Sequence, residues 1–80
     1  MKFVTFINAY PDKYSDMFLL LKSMHVPDGI SIISSYFIFG KPDAMVIFEC
    51  SDESKALKFV ETFAGVGDTE THVLVSVERI

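Results

Sequence analysis

The apolar and polar positions of the chain switch between a period of two and a period of three to four residues. Residues 2–9 are rich in β-branched and aromatic types and predict a first strand, which Pro11 ends. The spacings that follow predict a helix over about residues 12–24, with Asp12 as its N-cap. The apolar side of this helix consists of Tyr14, Met17, Phe18, Leu21 and Met24.

The rest of the chain holds three more strand patterns and one more helix pattern. In the second strand the alternation breaks over residues 32–35, which indicates a β-bulge. Ser51 or Asp52 is the predicted N-cap of the second helix, which stops at Gly65. The predicted strands are residues 30–39, 44–50 and 69–78, with a Gly- and Pro-containing turn at 40–43.

This order of elements, β-α-β-β-α-β, predicts one α+β domain over residues 1–80 with the ferredoxin-like arrangement. In that arrangement two helices cover one face of a four-stranded antiparallel sheet. Because each crossover connection is right-handed and skips a strand position, the expected order of strands across the sheet is four, one, three, two.

The predicted strands carry apolar residues on both faces, although a sheet covered on one side should alternate strictly. Val73, Val75 and Val77 of the fourth strand are the expected helix-facing set. The apolar residues of the second face are Val4, Phe6, Met45, Ile47 and Leu74. Each large apolar side chain left in water forfeits about 1.5–3 kcal/mol of burial. We therefore expect a homodimer or higher homo-oligomer in which a second copy covers this face, the alternative being a different protein or a further domain.

Composition and charge support association and disfavour two classes of partner. Half of the 80 residues are apolar and eight are Phe, which is more apolar area than a domain of this size readily buries. The net charge is −4, and the seven Lys and Arg residues form no cluster. Binding to nucleic acid or to an anionic membrane surface depends on clustered positive charge, so neither is expected.

The single cysteine, Cys50, excludes an internal disulfide and has no second cysteine with which to form a metal-binding pair. We interpret it as a small buried hydrophobe on the third strand. The N-terminus becomes polar too soon for a signal sequence, and no apolar run reaches about 18 residues. The expected location is the cytoplasm.

Short motifs in the second half of the chain resemble the GYD domain family. They are the turn Gly40-Lys41-Pro42-Asp43, the acidic helix start Ser51-Asp52-Glu53-Ser54 and the run Gly67-Asp68-Thr69-Glu70-Thr71. Pro42 stands where that family has Tyr. The turn and the T-E-T run are also similar to those of the ligand-sensing domain of Lrp/AsnC regulators, whose entry to the second strand differs here at Gly29-Ile30.

The resemblance covers residues 30–78 by motif and residues 2–29 by pattern. It implies the dimeric α/β-barrel type of ferredoxin-like fold, which these families share. It implies no reaction, because GYD-type families have no established activity and the fold hosts sensors, oxygenases and isomerases alike.

Four polar residues are candidates for a cleft on the second sheet face. His72 could act there as a general base or a metal ligand, and Glu49, beside apolar neighbours, as an acid or base. Asn8 and Tyr36 could add polar contacts to a ligand. Each also has a structural explanation: a hydrogen-bonded rim for His72, a solvated strand end for Glu49, and packing or edge solvation for Asn8 and Tyr36.

No cofactor or metal site is expected from the remaining residues. His25 follows the first helix, where an imidazole interacts favourably with the helix dipole, and no third ligand joins it and His72. Gly65-Val66-Gly67 follows a helix instead of opening one, so we interpret it as a helix stop and not a phosphate loop. No serine or cysteine nucleophile motif is present.

Two functions from different classes are compatible with this pattern. The first is a non-catalytic module that binds a small molecule in the cleft or serves as an assembly unit. The second is a small cofactor-independent enzyme, of the oxygenase or isomerase type, that uses His72 and Glu49.

Overall fold

The computed structural model describes all 80 residues of the chain. The elements follow in the predicted order. They are β1 (Lys2–Ala9), α1 (Tyr14–Ser23), β2 (Ser31–Phe37), β3 (Ala44–Glu49), α2 (Glu53–Val60), a 3₁₀ turn (Glu61–Phe63) and β4 (Gly67–Leu74). Neither helix combines the length and the apolar character that crossing a membrane requires.

The four strands form one antiparallel sheet in the order β2-β3-β1-β4, which confirms the predicted ferredoxin-like topology. β1 is the central strand: Phe3 lies opposite Phe48 of β3 and opposite Val73 of β4. Residues opposite each other in an antiparallel pair share a face of the sheet. The register therefore fixes which side chains lie together on each face.

The core lies between the sheet and the helices. Buried residues of β1 and β3 meet Met17 of α1 and Ala56 and Phe59 of α2. The rings of Phe3 and Phe48 stack with centroids 5.4 Å apart, and Phe59 meets Phe48 edge-on at 4.8 Å. Cys50 belongs to this core and is 7 % exposed, as its interpretation as a buried hydrophobe predicted.

The beginnings of both helices have clear local causes. Asp52 caps α2, because its Oδ1 accepts the backbone N–H of Lys55 at 2.9 Å. The prediction that Asp12 caps α1 is wrong, since Lys13 occupies the cap position without a side-chain hydrogen bond. Pro11 and Asp12 instead form the centre of a turn, closed by the Lys13 N–H and the Tyr10 carbonyl at 2.9 Å.

The bulge in β2 is confirmed, because the register with β3 shifts between Ile32 and Ser34. The extra residue, Ile33, is 48 % exposed. The strand is also shorter than predicted and ends at Phe37, where the chain enters the turn before β3.

The fourth strand begins earlier and ends earlier than the pattern indicated. Gly67, predicted to belong to a helix stop, is the first residue of β4 and lies opposite Ala9. The last pair is Leu74 with Lys2, so no β1 residue lies beside the chain beyond Leu74. Val75 and Val77 therefore lie outside the sheet and do not face the helices, contrary to the prediction.

Asp43 ties together the ends of three strands at the turn before β3. Its Oδ2 accepts the Ala9 N–H at 2.8 Å, its backbone N–H donates to the Ile7 carbonyl, and its own carbonyl accepts the Ile38 N–H. The carboxylate is only 11 % exposed, with Lys41 Nζ 3.7 Å away. Asp43 is thus a structural residue that joins the turn to β1 and to the residue that follows β2.

We expect Asp43→Ala to lower the free energy of unfolding by about 1–3 kcal/mol, because it leaves the buried Ala9 N–H without an acceptor. Asp43→Asn keeps a side-chain carbonyl oxygen and should cost less. Urea denaturation measures both variants. Equal losses for the two would show that the hydrogen bond to Ala9 does not carry the effect.

Candidate functional site

The sheet face turned away from the helices, called here the open face, differs in polarity between its central and its edge strands. In the middle of this face the two central strands present apolar side chains and the two edge strands present polar ones, whereas Lys2, Asn8 and Glu49 of the central strands and Leu74 of β4 lie towards its ends. The central residues are Val4 and Phe6 on β1 and Met45 and Ile47 on β3. The edge residues are Ser31, Ser34 and Tyr36 on β2 and Asp68, Glu70 and His72 on β4.

Two complete rows of cross-strand neighbours define the middle of the open face. One row runs Ser34, Ile47, Val4 and His72, and the next runs Tyr36, Met45, Phe6 and Glu70. Lys2, Glu49 and Leu74 share a further row with Ser31 at one end. All four predicted cleft residues and all five predicted interface residues therefore lie on one face.

The apolar residues predicted for the open face are less exposed than the sequence pattern implied. Val4 is 4 % exposed in the single chain, because its neighbours on both adjoining strands cover it. Phe6, Met45 and Ile47 are partly buried, and Leu74 is 37 % exposed. The expectation that Val4 is left in water is wrong, so Phe6, Met45, Ile47 and Leu74 provide the apolar surface that a partner could still cover.

His72 makes a contact that the sequence interpretation missed. Its Nε2 lies 2.7 Å from Oε2 of Glu70, with the imidazole N–H as donor because an ionised carboxylate only accepts. The Phe6 ring meets the imidazole edge-on, with centroids 6.3 Å apart. The sequence contains a signal for this contact, because Glu70 and His72 are two residues apart and such residues of a strand share a face.

Glu49, the other candidate acid or base, lies apart from His72. It is opposite Lys2 and Ser31 at the end of the sheet, whereas His72 is opposite Val4. Because two inter-strand spacings separate β3 from β4, the two side chains stand roughly 10 Å apart or more. The histidine's partner in the single chain is therefore Glu70.

The open face holds a shallow pocket of about 290 Å³ at the end opposite to Glu49, lined by Phe6, Asn8, Pro42 and Glu70. It brings one aromatic ring, one amide and one carboxylate together. Of the candidate ligand residues, Asn8 lines this pocket, whereas Tyr36 lies 54 % exposed on the far edge strand. A compound that offers hydrogen-bond donors suits the oxygens of Asn8 and Glu70.

A larger pocket lies away from the open face. It measures about 530 Å³ and is formed by Tyr14 and Phe18 of α1, residues 37–40 and Asp43. Phe18 and Phe37 meet edge-on in its wall at 4.6 Å. The one acidic side chain in this wall, that of Asp43, already accepts the Ala9 N–H.

The structure places His25 in an exposed position after α1, away from His72. No group of three or more His, Cys, Asp and Glu side chains lies together in a way that could hold a metal ion. The candidate side chains for chemistry on the open face are His72, which contacts Glu70, together with Asn8 beside the shallow pocket and Glu49 at the far end.

The fold and the open face define a small ferredoxin-like domain with one uncovered sheet face. The chain belongs to a family described as a domain of unknown function (DUF3303), whose model matches residues 1–80. No curated protein matches the chain.

Among solved structures, the chain is similar to B. subtilis LrpC. The TM-score is 0.76 over 98% of this chain, at 17% sequence identity. The chain spans about half of that protein, 52% of its length. At this identity the likeness establishes the ferredoxin-like fold and agrees, at the level of fold, with the resemblance to Lrp/AsnC ligand-sensing domains.

Proposed function

We propose that this domain is a non-catalytic module that forms a homodimer through its open face and binds a small organic molecule there. The observation that carries the proposal is the distribution on that face, with an apolar centre on β1 and β3 and polar edges on β2 and β4. Protein interfaces have the same anatomy, a fully buried apolar core inside a polar rim.

A second copy of the chain is the occupant that best suits this face. Closed twofold dimers are the commonest soluble oligomers, and a twofold interface brings the same patch together from both copies. With the axis along the strands, β4 of one copy lies over β2 of the other. The hydroxyls of Ser34 and Tyr36 then face Glu70 and His72, and the carboxylates of the two copies stay apart.

The pocket beside Asn8 and Glu70 is the proposed ligand site. A partner sheet packs about 10 Å away and so converts a shallow depression into an enclosed cleft. The proposed ligand is a small molecule with hydrogen-bond donors and an apolar part that contacts Phe6. The resemblance to Lrp/AsnC ligand-sensing domains and to GYD domains, which have no established reaction, supports binding over catalysis.

The mass of the chain in solution tests the interface. We expect the wild type to have a multiple of the 9.0 kDa chain mass by light scattering, and Ile47→Glu to halve it. The interface should not form in this variant, because burying a carboxylate at its apolar centre is costly. Leu57→Glu, at a 65 % exposed site on α2, is the matched control and should leave the mass unchanged. A wild type with the mass of one chain would contradict the proposal.

A thermal-shift screen tests the ligand site. A ligand that binds only the folded state raises the melting temperature, by an amount corresponding to about 2.7 kcal/mol at 100 times its Kd. We expect donor-bearing compounds to raise it for the wild type and to lose the effect in Asn8→Ala and Glu70→Gln. If no compound acts while Ile47→Glu still halves the mass, the open face serves assembly alone.

The second candidate function is a cofactor-independent enzyme, and the observation that favours it is the pair of His72 and Glu70. A carboxylate that accepts the imidazole N–H orients the ring and leaves its other nitrogen free to take a proton. This revises the sequence hypothesis by replacing Glu49 with Glu70. A compound found in the thermal-shift screen and converted by the wild type but not by His72→Asn would establish catalysis.

We also propose that the protein is located in the cytoplasm. This proposal rests on the sequence pattern, and fractionation of cells that express the chain tests it.

A further inference from the structure

The last six residues, 75–80, continue from β4 without a partner strand and are called here the C-terminal arm. β1 begins at Lys2, opposite Leu74, so the arm has no β1 residue beside it. Its aliphatic side chains stand in solvent: Val75 is 82 % exposed, Val77 89 % and Ile80 127 %. In sequence the arm repeats the strand alternation of β4, with Val73, Val75 and Val77 at every second position.

The outer edge of β4 is also unpaired. β4 is an edge strand of eight residues, and alternate backbone N–H and C=O groups of such a strand point away from the sheet. Natural edge strands are usually protected by proline, lysine or a bulge. The opposite edge, β2, has a bulge between Ile32 and Ser34, whereas β4 contains no proline, no lysine and no register shift.

We propose that β4 and the C-terminal arm pair antiparallel with the same segment of a second copy, around a twofold axis at Val75. This edge interface is distinct from the open-face interface of the proposed function. It joins two four-stranded sheets into a continuous sheet of eight, because the axis lies perpendicular to the sheet and not along its strands.

Face alternation places the twofold axis on a residue, and charge favours an axis at Val75 over one at Leu74. Opposed residues must share a face, so the twofold axis falls on a residue and not between two. An axis at Leu74 places Glu78 opposite Glu70 of the partner, and like charges directly opposite are destabilising. An axis at Val75 instead places Glu78 opposite His72 of the partner, and Val77 opposite the partner's Val73.

The chosen register accounts for the residues that the single chain leaves exposed. Val73, Val75 and Val77 of both copies form one strip of six valines on the helix side of the joined sheet. On the open side, the His72 ring is 54 % exposed and can meet Glu78 of the partner while it keeps its bond to Glu70.

Single cysteines in a Cys50→Ala background test the pairing. Cysteine is placed in turn at Leu74, Val75 and Ser76, with Leu57→Cys on α2 as an exposed control. A residue on the twofold axis meets its own copy, at a Cβ separation close to that of a disulfide. We expect mild oxidation, or a short bis-maleimide, to give several-fold more covalent dimer with Val75→Cys than with the other three.

Two outcomes would overturn the proposal. Cross-linking that is strongest at Leu74 or Ser76 excludes the register, and cross-linking at Val75 no stronger than at Leu57 excludes the pairing. The scan is repeated with Ile47→Glu, which disrupts only the open face. A Val75→Cys cross-link that persists in the Ile47→Glu variant establishes the edge interface independently of the open-face interface. If the open-face proposal fails, Ile47→Glu alone has the same mass as the wild type. Far-UV circular dichroism checks that each variant is folded.

Discussion

Replacing Phe48 with alanine is expected to lower the free energy of unfolding by about 3–5 kcal/mol. Phe48 lies in the middle of β3 with no exposed surface, stacked on Phe3 and edge-on to Phe59, which in turn meets Phe63 at 5.5 Å. Its ring thus joins the sheet to α2 and to the 3₁₀ turn. Small domains have about 5–15 kcal/mol in total, so this one truncation removes a large part of the stability.

Phe39→Ala is the matched control for Phe48→Ala, because it is the same substitution at a fully exposed position of the turn before β3. We expect a change within about 0.5 kcal/mol there. Urea denaturation followed by circular dichroism measures both, at one chain concentration because association adds to apparent stability. If the two variants have equal midpoints, the chain of aromatic rings does not hold α2 and the 3₁₀ turn to the sheet.

The sequence predicted the topology because each element has a strong local cause. β1 and β3 are runs of β-branched and aromatic residues, and the N-cap of α2 was predicted to be Ser51 or Asp52, of which Asp52 is the cap. The bulge in β2 was visible as a broken alternation at Ile32 and Ile33. These signals lie within a few neighbouring residues, which is the range that pattern reasoning covers well.

The end of β4 could not be predicted for a different reason. Val75 and Val77 have the alternation of a strand, but a strand requires a neighbour to accept and donate its hydrogen bonds. Whether such a neighbour exists depends on the register between β1 and β4. The last pair of that register joins Lys2 and Leu74, which are 72 positions apart in the chain. Local pattern alone contains no information on that long-range pairing.

The candidate site was predicted as a face and not as a set of contacts. Alternation placed Asn8, Tyr36, Glu49 and His72 on one side of the sheet, which the register confirms. Which of them meet depends on the order of the strands across the sheet. Glu49 and His72 stand on strands separated by β1, whereas Glu70 reaches His72 along β4.

Adding a single methyl group at Gly67 is expected to cost about 1–3 kcal/mol of folding free energy or more. A Cβ there would lie 2.8 Å from the carbonyl carbon of Asn8 and 2.9 Å from Cα of Ala9, with the Asn8 carbonyl oxygen closer still. All three are backbone atoms, so no side chain can move aside. β1 and β4 must separate at this end of the sheet, and Asn8, which lines the proposed ligand pocket, must move with them.

Gly65→Ala is the matched control for Gly67→Ala, two residues earlier in the chain. A Cβ at Gly65 meets nothing within 4 Å. The substitution should therefore be neutral, or stabilising by up to about 1 kcal/mol through the lower entropy of the unfolded chain. Urea denaturation compares the two, and the thermal shift caused by any ligand of the open face should be weakened in Gly67→Ala alone. Equal stabilities would mean that β1 and β4 can separate there at no cost, and the pocket beside Asn8 would then lack the rigid wall that selective binding requires.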